Sequence, residues 1–454
     1  MKVERTRQLT LNVLNRLEPG SGLSSDQLDN LFKENPSLDA RDRAFINQLI
    51  QGVLRWRLRL DWIISRFSSL STNKMDLPVL NILRLAVFQI MFLDRVPESA
   101  AVNEAVNQVK QEKKIQHTSS FVNGVLRNLC RHKDSITFPK RKKNIEQFLS
   151  VYYSYPRWLV EKWLRELGSE HTEELLDSQN LISGLNIRTN TLKITRSELI
   201  DDLNRKGIKT EPAAYSPDGI ILPEYKGKVD KLPLFRKGYY QIQDQAAQIT
   251  SHLLNPMPGD SVLDVCAGQG GKSTHLAELM EGKGTVIALD SDKRRLSNLI
   301  ASSKRLNIRN IKTRIADASK SMVSLSPKKF DKILVDAPCS GFGVLSRHPD
   351  GKWNKNETDI KRLARLQKKI LAESSSLLEK KGGMLYVTCT ITREENEGVV
   401  NYFLRKNPEF HLVDLRDNIQ EWGRELINDQ GFFRSFPHIH HMDGFFAALF
   451  QRVD

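Results

Sequence analysis

Apolar residues up to about position 133 recur at steps of three and four, the spacing of a helix with one buried face. Leu9, Val13 and Leu14 begin this pattern, and the most apolar stretch covers residues 77–93. That stretch contains asparagine, arginine and glutamine, so we predict a buried helix there and not a membrane span. Residues 1–135 are therefore predicted to form an all-helical domain.

The pattern changes after a short basic linker at 139–143. Residues 152–167 predict a helix, 185–190 alternate like a strand, and 197–206 are typical of a helix with a capped N-terminus. We predict a small α+β domain of the ferredoxin or RRM-like kind over 145–235.

From Gln243 onward, short apolar runs alternate with glycine-containing turns and helical stretches. Such alternation predicts a mostly parallel, doubly wound, Rossmann-like α/β sheet, which we assign to a third domain at 236–454. The predicted strands are 261–265, 285–289, 311–315, 332–335 and 384–387. Ligands of such sheets bind beyond the carboxyl ends of the strands.

Composition limits the class of protein. The 454 residues include 69 lysines and arginines against 54 acidic residues, a net charge of +15 that weakly favours a polyanionic partner such as RNA. The four cysteines form no CxxC pair, which excludes a disulfide scaffold and a ribbon-type zinc site. The N-terminus has no apolar segment typical of secretion, so we expect a cytoplasmic protein. Arginines in the helical domain indicate either a solvated face or RNA contacts; they are Arg41, Arg43, Arg55 and Arg57.

The first strand of the third domain leads into a glycine-rich loop, CAGQGGKS. A phosphate-binding P-loop would need glycine at Cys266, and the dinucleotide fingerprint would need glycine at Ser273. Neither motif is complete. The glycines still allow a ligand to approach the backbone at the start of a helix.

Three aspartates follow three of the predicted strands: Asp290, Asp317 and Asp336. Asp290 is placed to accept hydrogen bonds from both hydroxyls of a ribose. The alternative is that Asp290 is the N-cap of the following helix. Asp317 could accept from an adenine amino group. Buried acids are costly without partners, and a cationic, hydroxyl-rich ligand such as S-adenosylmethionine would account for all three. A nicotinamide cofactor would account for Asp290 alone.

Two cysteines also lie at predicted strand ends, Cys339 in DAPCSGFG and Cys389 in YVTCT. A lone cysteine is most often a small buried apolar residue, and we interpret Cys130 in that way. Carbon 5 of cytosine is a poor nucleophile, but addition of a thiolate at C6 makes it able to attack a sulfonium methyl group. The thiolate is the active form, so such a cysteine needs surroundings that favour it.

The segments CAGQGGK, DAPCSGFG and YVTCT resemble motifs of the Nop/Sun group of RNA cytosine-C5 methyltransferases. The stretches RDRAFINQLIQGVLRWR and FVNGVLRN resemble the NusB-like RNA-binding domain. This domain order is similar to that of the bacterial members that act on 16S ribosomal RNA, and the similarity covers nearly the whole chain.

The resemblance implies roles for individual residues. Cys389 would be the nucleophile, Cys339 would assist release of the covalent product, and Asp336 would bind the target base near N3. Lys272 would lie near Asp336 and the base. S-adenosylmethionine would be held by Cys266, Ala267, Gly268, Gln269, Gly270, Gly271, Lys272, Asp290, Asp317 and Asp336.

The chain departs from the family pattern in two places. AAPGGK is replaced by AGQGGK at 267–272, and TCS by TCT at 388–390. The loss of proline removes rigidity from the loop, although every catalytic group of the pattern is present.

We predict that the basic stretch 351–370 lines an RNA channel, unless it is a solvated helix face. The RNA contacts predicted there and in the middle domain are Arg188, Asn190, Lys352, Trp353, Arg362 and Arg365. His438, His440 and His441 lack a cysteine partner at ligand spacing, so no metal site is expected. The expected partner is 16S ribosomal RNA or a small-subunit assembly precursor, and the expected state is a monomer without membrane attachment. The alternatives are C5 methylation of another RNA, a silent RNA-binding or antitermination factor, and a nicotinamide-dependent oxidoreductase.

Overall fold

A computed structural model of the protein describes residues 4–17, 24–182, 184–225, 227, 229–322 and 329–453. They form two compact units. The first extends to Leu181 and also includes Leu345–Glu357, and the second comprises Ile182–Val344 and the chain from Thr358 onward.

The first unit is helical. Its helices are α1 (Arg5–Arg16), α2 (Ser24–Glu34), α3 (Ala40–Phe67), α4 (Leu77–Phe92), α5 (Glu98–Gln111), α6 (Ser119–His132), α7 (Ile145–Tyr152), α8 (Arg157–Leu167) and α9 (Ser169–Ser178). Helix α4 is buried on most of its surface and packs with α3, α5 and α6 around one apolar core. The prediction of an all-helical N-terminal domain is confirmed. Within the described residues, no helix is both long and apolar enough to cross a membrane.

The segment Leu345–Glu357 joins this helical unit although it lies between two strands of the second unit. The Asp350 carboxylate accepts hydrogen bonds of 3.0 Å from the backbone nitrogen and the hydroxyl of Ser24. The Trp353 indole donates to the carbonyl of Leu54 at 2.6 Å. These contacts hold residues 345–357 within the first unit.

The second unit begins with a small antiparallel sheet of strands β1 (Leu185–Thr189), β2 (Glu211–Pro212), β3 (Gly219–Leu222) and β4 (Tyr240–Ile242), in the order β2-β3-β1-β4. Two helices lie between these strands in the sequence, α10 (Arg196–Arg205) and α11 (Pro233–Arg236). Thr195 and Glu198 form a capping box at the start of α10. Of the elements in the range 145–235, helices α7–α9 lie in the first unit and this sheet lies in the second.

The rest of the second unit is the large sheet with its helices. The strands are β5 (Ser261–Val265), β6 (Thr285–Asp290), β7 (Ile311–Ile315), β8 (Phe330–Asp336), β9 (Leu378–Thr388), β10 (Phe410–Val413), β11 (Phe433–Arg434) and β12 (Phe446–Arg452). The helices are α12 (Gln245–Leu254), α13 (Gly271–Leu279), α14 (Lys293–Leu306), α15 (Glu357–Ser375), α16 (Glu397–Lys406) and α17 (Pro437–His440).

The strand order is β10-β12-β9-β8-β5-β6-β7, with β11 beside β12. The five strands from β9 to β7 are parallel, as predicted, and β12 pairs with β9 in the antiparallel sense. Apolar clusters cover both faces of the sheet, which explains the continuous apolar runs in its strands. The carboxyl ends of β5, β6, β8 and β9 therefore meet at one edge.

Candidate active site

The loop after β5 is shaped by residues in the left-handed region. Cys266, Gly268 and Gly270 have φ values of 63°, 56° and 81°. A Cβ atom on Gly270 would lie 2.3 Å from Cγ of Leu299, so only glycine fits this position. The turn brings the chain directly into α13, whose first amide groups face the edge of the sheet.

Asp290, at the end of β6, fixes this loop. One of its carboxylate oxygens accepts from the backbone nitrogen of Gly268 at 2.8 Å, and the other accepts from that of Asp292 at the same distance. The N-cap of α14 is Asp292, so the alternative role considered for Asp290 belongs to its neighbour. Each carboxylate oxygen retains a lone pair for a further donor.

Asp317 lies beyond the end of β7 and is about half exposed. Its carboxylate accepts from the hydroxyl of Ser319 at 2.7 Å and from the backbone nitrogen at 3.0 Å. These hydrogen bonds lower the pKa of Asp317, and the charges of Lys320 and Lys369 add to the effect. Asp317 is therefore an ionised, accessible acceptor.

Asp336, at the end of β8, pairs with Lys272 in α13. The Lys272 ammonium lies 2.7 Å from the carboxylate and 5.2 Å from the ring centroid of Phe445. Burial lowers the pKa of Lys272, but the Asp336 carboxylate more than reverses this, and the net shift is upward. The pair holds a proton donor and an acceptor side by side at the edge of the sheet.

Cys339 and Cys389 are brought together by the parallel pairing of β8 and β9. Their sulfur atoms lie 3.2 Å apart, and the backbone nitrogen of Gly343 donates to the carbonyl of Cys389 at 3.0 Å. The hydrogen bond with Cys389 and then burial raise the pKa of the Cys339 thiol well above its ordinary value. Cys339 therefore keeps its proton.

Burial raises the pKa of the third cysteine of this region, Cys266, followed by the charges of Asp336 and Asp290. A thiol held neutral in this way is a poor nucleophile. Cys266 is therefore not a candidate for the nucleophile.

Sequence reasoning missed Glu395, which is fully buried next to the two cysteines. It accepts from the hydroxyl and the backbone nitrogen of Ser340 at 2.5 and 2.8 Å, from Gln367 at 3.0 Å, and from the Thr392 hydroxyl at 2.7 Å. These four hydrogen bonds come from three residues, and in each of them the Glu395 carboxylate is the acceptor. The available signal was the acidic run directly after Cys389.

Three family descriptions match successive parts of the chain. They are the NusB family over residues 4–131, a ferredoxin-like domain of RsmF/B-like methyltransferases over 155–228, and the 16S rRNA methyltransferase RsmB/F over 251–451. The probable ribosomal RNA small subunit methyltransferase B of Bacillus subtilis is 34% identical over the full length of both chains. The chain belongs to the RsmB/F family of ribosomal RNA methyltransferases.

Other relatives agree with this assignment. The small subunit methyltransferase B of Yersinia enterocolitica is 32% identical and covers 95% of each chain. Among solved structures, PH0851 has a TM-score of 0.80 at 28% identity over 99% of this chain and all of its own. NSun6 from Pyrococcus horikoshii, determined with SFG, has a TM-score of 0.60 at 25% identity over 66% of this chain and 99% of its own. The predicted family and fold class are thereby confirmed.

The structure corrects three of the RNA contacts predicted for this RsmB/F member. Arg188, Asn190 and Lys352 are at most 1% exposed and cannot reach a phosphate on the surface. Asn190 donates to the carbonyls of Gly238 and Leu306 at 2.9 Å. Lys352 donates to Asn180 at 2.7 Å within the helical unit.

Arg188 connects the small sheet to the glycine-rich loop before α13. It donates to the carbonyl of Gly271 at 2.7 Å and to Glu278 at 2.9 Å, and it also contacts Gln243. This family member therefore uses Arg188 to hold the start of α13, which the alternating pattern of β1 could not reveal.

The remaining predicted contacts differ in exposure. Trp353 is half-buried against the helical core, whereas Arg362 and Arg365 on α15 are exposed. Arg362 forms an ion pair of 3.1 Å with Asp359. In the histidine cluster, Nδ1 of His440 accepts from the backbone nitrogen of Phe436 at 2.9 Å.

Proposed function

We propose that the chain methylates C5 of a cytosine in 16S ribosomal RNA through a covalent bond between Cys389 and C6. The observation that carries this proposal is the 3.2 Å separation of the Cys339 and Cys389 sulfur atoms at the ends of adjacent parallel strands. Family membership independently supports ribosomal RNA as the substrate.

The residues at the edge of β5 and β6 fit S-adenosylmethionine. A Cβ atom on Gly268 would meet nothing within 4 Å, so the turn leaves open space beside the Asp290 carboxylate. Asp290 offers acceptors for ribose hydroxyls, and Asp317 offers one for an amino group. The relative determined with SFG, an analogue of this cofactor, supports the same choice. When bound, S-adenosylmethionine supplies the electrophilic methyl group.

The chain's own residues would act in order. The Cys389 thiolate adds to C6 of the cytosine, and the negative charge that develops on the ring is balanced by the ammonium of Lys272, held 2.7 Å from Asp336. Once Cys389 is bonded to carbon, its sulfur no longer raises the pKa of Cys339 by hydrogen bonding and charge. After C5 has taken the methyl group and S-adenosylhomocysteine is left, Cys339 would lose its proton to solvent and the resulting thiolate would accept the C5 proton. The C6–S bond would then break, with its electron pair returning to Cys389 as the thiolate, and the aromatic ring would be restored.

The test uses three cysteine variants with 16S rRNA and S-adenosylmethionine labelled in the methyl group. Cys339→Ala should accumulate a covalent protein–RNA adduct on a denaturing gel, while Cys389→Ala should form no adduct and transfer no methyl group. Cys130→Ala is the matched control, because this cysteine lies in the helical unit. Methyl transfer by Cys389→Ala would refute the assignment.

Two measurements address the alternatives. Bisulfite sequencing of ribosomal RNA from a deletion strain should reveal one 16S cytosine that loses its methyl group, and an unchanged 16S RNA would favour another RNA substrate. Calorimetry should show binding of S-adenosylhomocysteine and not of NAD. The reverse result would support an oxidoreductase, and binding of neither would support a silent RNA-binding factor.

A further inference from the structure

Helices α15 and α16 enclose a surface groove of about 510 Å³ that the proposed active site does not use. Its charged side chains are Arg365, Lys368 and Lys369 of α15 and Lys406 of α16, and no carboxylate lines it. We call this feature the α15–α16 groove.

The cations of this groove make no direct ion pairs within the described part of the chain. Among the residues that the structure describes, none of the four forms an ion pair with a carboxylate, whereas Arg362 on the same helix pairs with Asp359. Four like charges around one depression repel one another. A surface of this kind is typical of a site for a polyanion.

An aromatic ring lies among these charges. Tyr402 of α16 is 37% exposed, and the ammonium of Lys368 lies 4.5 Å from its ring centroid. Aromatic rings beside cations are the usual means of binding single-stranded nucleic acid, because bases stack on the ring while phosphates meet the charges. An acidic protein surface would use the charges but has no comparable need for the ring.

The groove lies on the outside of the helix that supports the Cys339 turn. On the buried side of α15, Gln367 donates to the carbonyl of Pro338 at 3.0 Å and to Glu395 at the same distance. Arg365 and Lys368 are its near neighbours on the exposed side and lie three residues apart, roughly 4.5 Å along the helix axis. Lys369 also contributes to the field at Asp317, so the basic surface continues toward the catalytic edge.

We propose that the α15–α16 groove binds the phosphodiester backbone of the substrate RNA away from the target cytosine, with an unpaired base stacked on Tyr402. This proposal rests on the proposed function, because it assumes that the chain acts on RNA. On this proposal, α15 contacts the Cys339 turn through its buried side and the RNA strand through its exposed side.

The test compares Lys368→Gln/Lys406→Gln with Lys304→Gln/Arg309→Gln, a control that removes two exposed cations elsewhere in the second unit. The probe is 16S rRNA transcribed in vitro. Loss of two phosphate contacts should reduce the slope of log K against log salt by about 1.4 and raise KM, with kcat and binding of S-adenosylhomocysteine unchanged. The control should retain the wild-type slope. An equal slope in the two double variants would overturn the proposal.

A second variant separates RNA from an acidic protein as the occupant. Tyr402→Leu should weaken RNA binding about tenfold through the loss of stacking. Unchanged RNA binding, together with competition by polyglutamate as strong as that by RNA, would overturn the proposal in favour of an acidic protein. Binding is measured without catalysis, so failure of the methylation assay would refute the proposed function while leaving the groove result intact.

Discussion

Glu395 shows how one buried carboxyl group can fix the conformation of a turn. Its carboxylate has four donors and no competing acceptor, and two of those donors belong to Ser340, which follows Cys339. Tyr386 donates to its backbone carbonyl at 2.6 Å. The position of Cys339 therefore depends on a residue 56 positions further along the chain.

We predict that Glu395→Gln slows product release more than adduct formation. The amide would direct an N–H group at hydrogen-bond donors, at a cost of about 1–3 kcal/mol, and the turn that carries Cys339 would shift. Single-turnover assays should show a larger fraction of trapped adduct than in the wild type, with binding of S-adenosylhomocysteine unchanged. Glu373→Gln on α15 is the control. Wild-type rates for both steps would contradict the role given to Glu395.

At the scale of elements, Arg188 ties β1 to α13. The guanidinium and Glu278 are both completely buried, and burial raises the pKa of the Glu278 carboxyl against the opposing effect of Arg188. Such a pair contributes little net stability, but one partner without the other is costly. Arg188 also donates to the carbonyl of Gly271, so this contact extends to the glycine-rich loop.

We predict that Arg188→Met destabilises the second unit by about 3–5 kcal/mol, because it leaves Glu278 as an unpaired buried charge. Arg188→Met/Glu278→Leu should recover most of the unfolding free energy in urea. The double variant should still bind S-adenosylhomocysteine more weakly than the wild type, since the Gly271 carbonyl has lost its donor. Full recovery of binding would show that Arg188 only balances charge.

A second prediction at this scale concerns the anchor of 345–357 in the helical unit. Lys352 donates to Asn180 and to the carbonyls of Arg55 and Ser154, and burial lowers its pKa well below the ordinary value. Lys352→Met should leave these acceptors unpaired and destabilise the first unit by about 1–3 kcal/mol. Hydrogen exchange should accelerate in α3 and α7 and stay unchanged in β5. Faster exchange in β5 would contradict this.

At the scale of the whole molecule, two buried groups oppose each other in the pH dependence of stability. Burial lowers the pKa of His275 to about 3, and burial raises that of Asp264 to about 7. The contribution of His275 is present above its unfolded pKa near 6.5 and is lost as pH falls. That of Asp264 is present below its unfolded pKa near 3.8 and is lost as pH rises through 7.

We therefore predict that the contributions of these two groups nearly cancel between about pH 4.5 and 6, because their slopes of about 1.4 kcal/mol per pH unit have opposite signs. Urea unfolding should show that the deficit of His275→Gln shrinks as pH falls, whereas that of Asp264→Asn grows. Asp218 and His252 also contact His275, and Asp218 is ionised throughout this range because its hydrogen bonds with both histidines outweigh burial. Parallel profiles for the two variants would contradict this.

The sequence alone determined the parts of this protein that depend on local spacing. Helical periodicity located the N-terminal helices, and the apolar runs located the parallel strands with Asp290, Asp336 and Cys389 at or just after their ends. Parallel strands have their carboxyl ends at one edge of the sheet. The positions of the strand ends in the sequence were therefore enough to predict that these residues lie close together.

Only the tertiary structure decided which charged residues are buried. Arg188 and Lys352 are of the residue types that bind RNA, but both are buried against partners 90 and 172 residues away in the sequence. No local sequence pattern predicts that packing. The same holds for Glu395 under the Cys339 turn and for the open cations of the α15–α16 groove. Whether a charge faces water or another side chain depends on the packing of distant elements, because burial is a property of the folded chain.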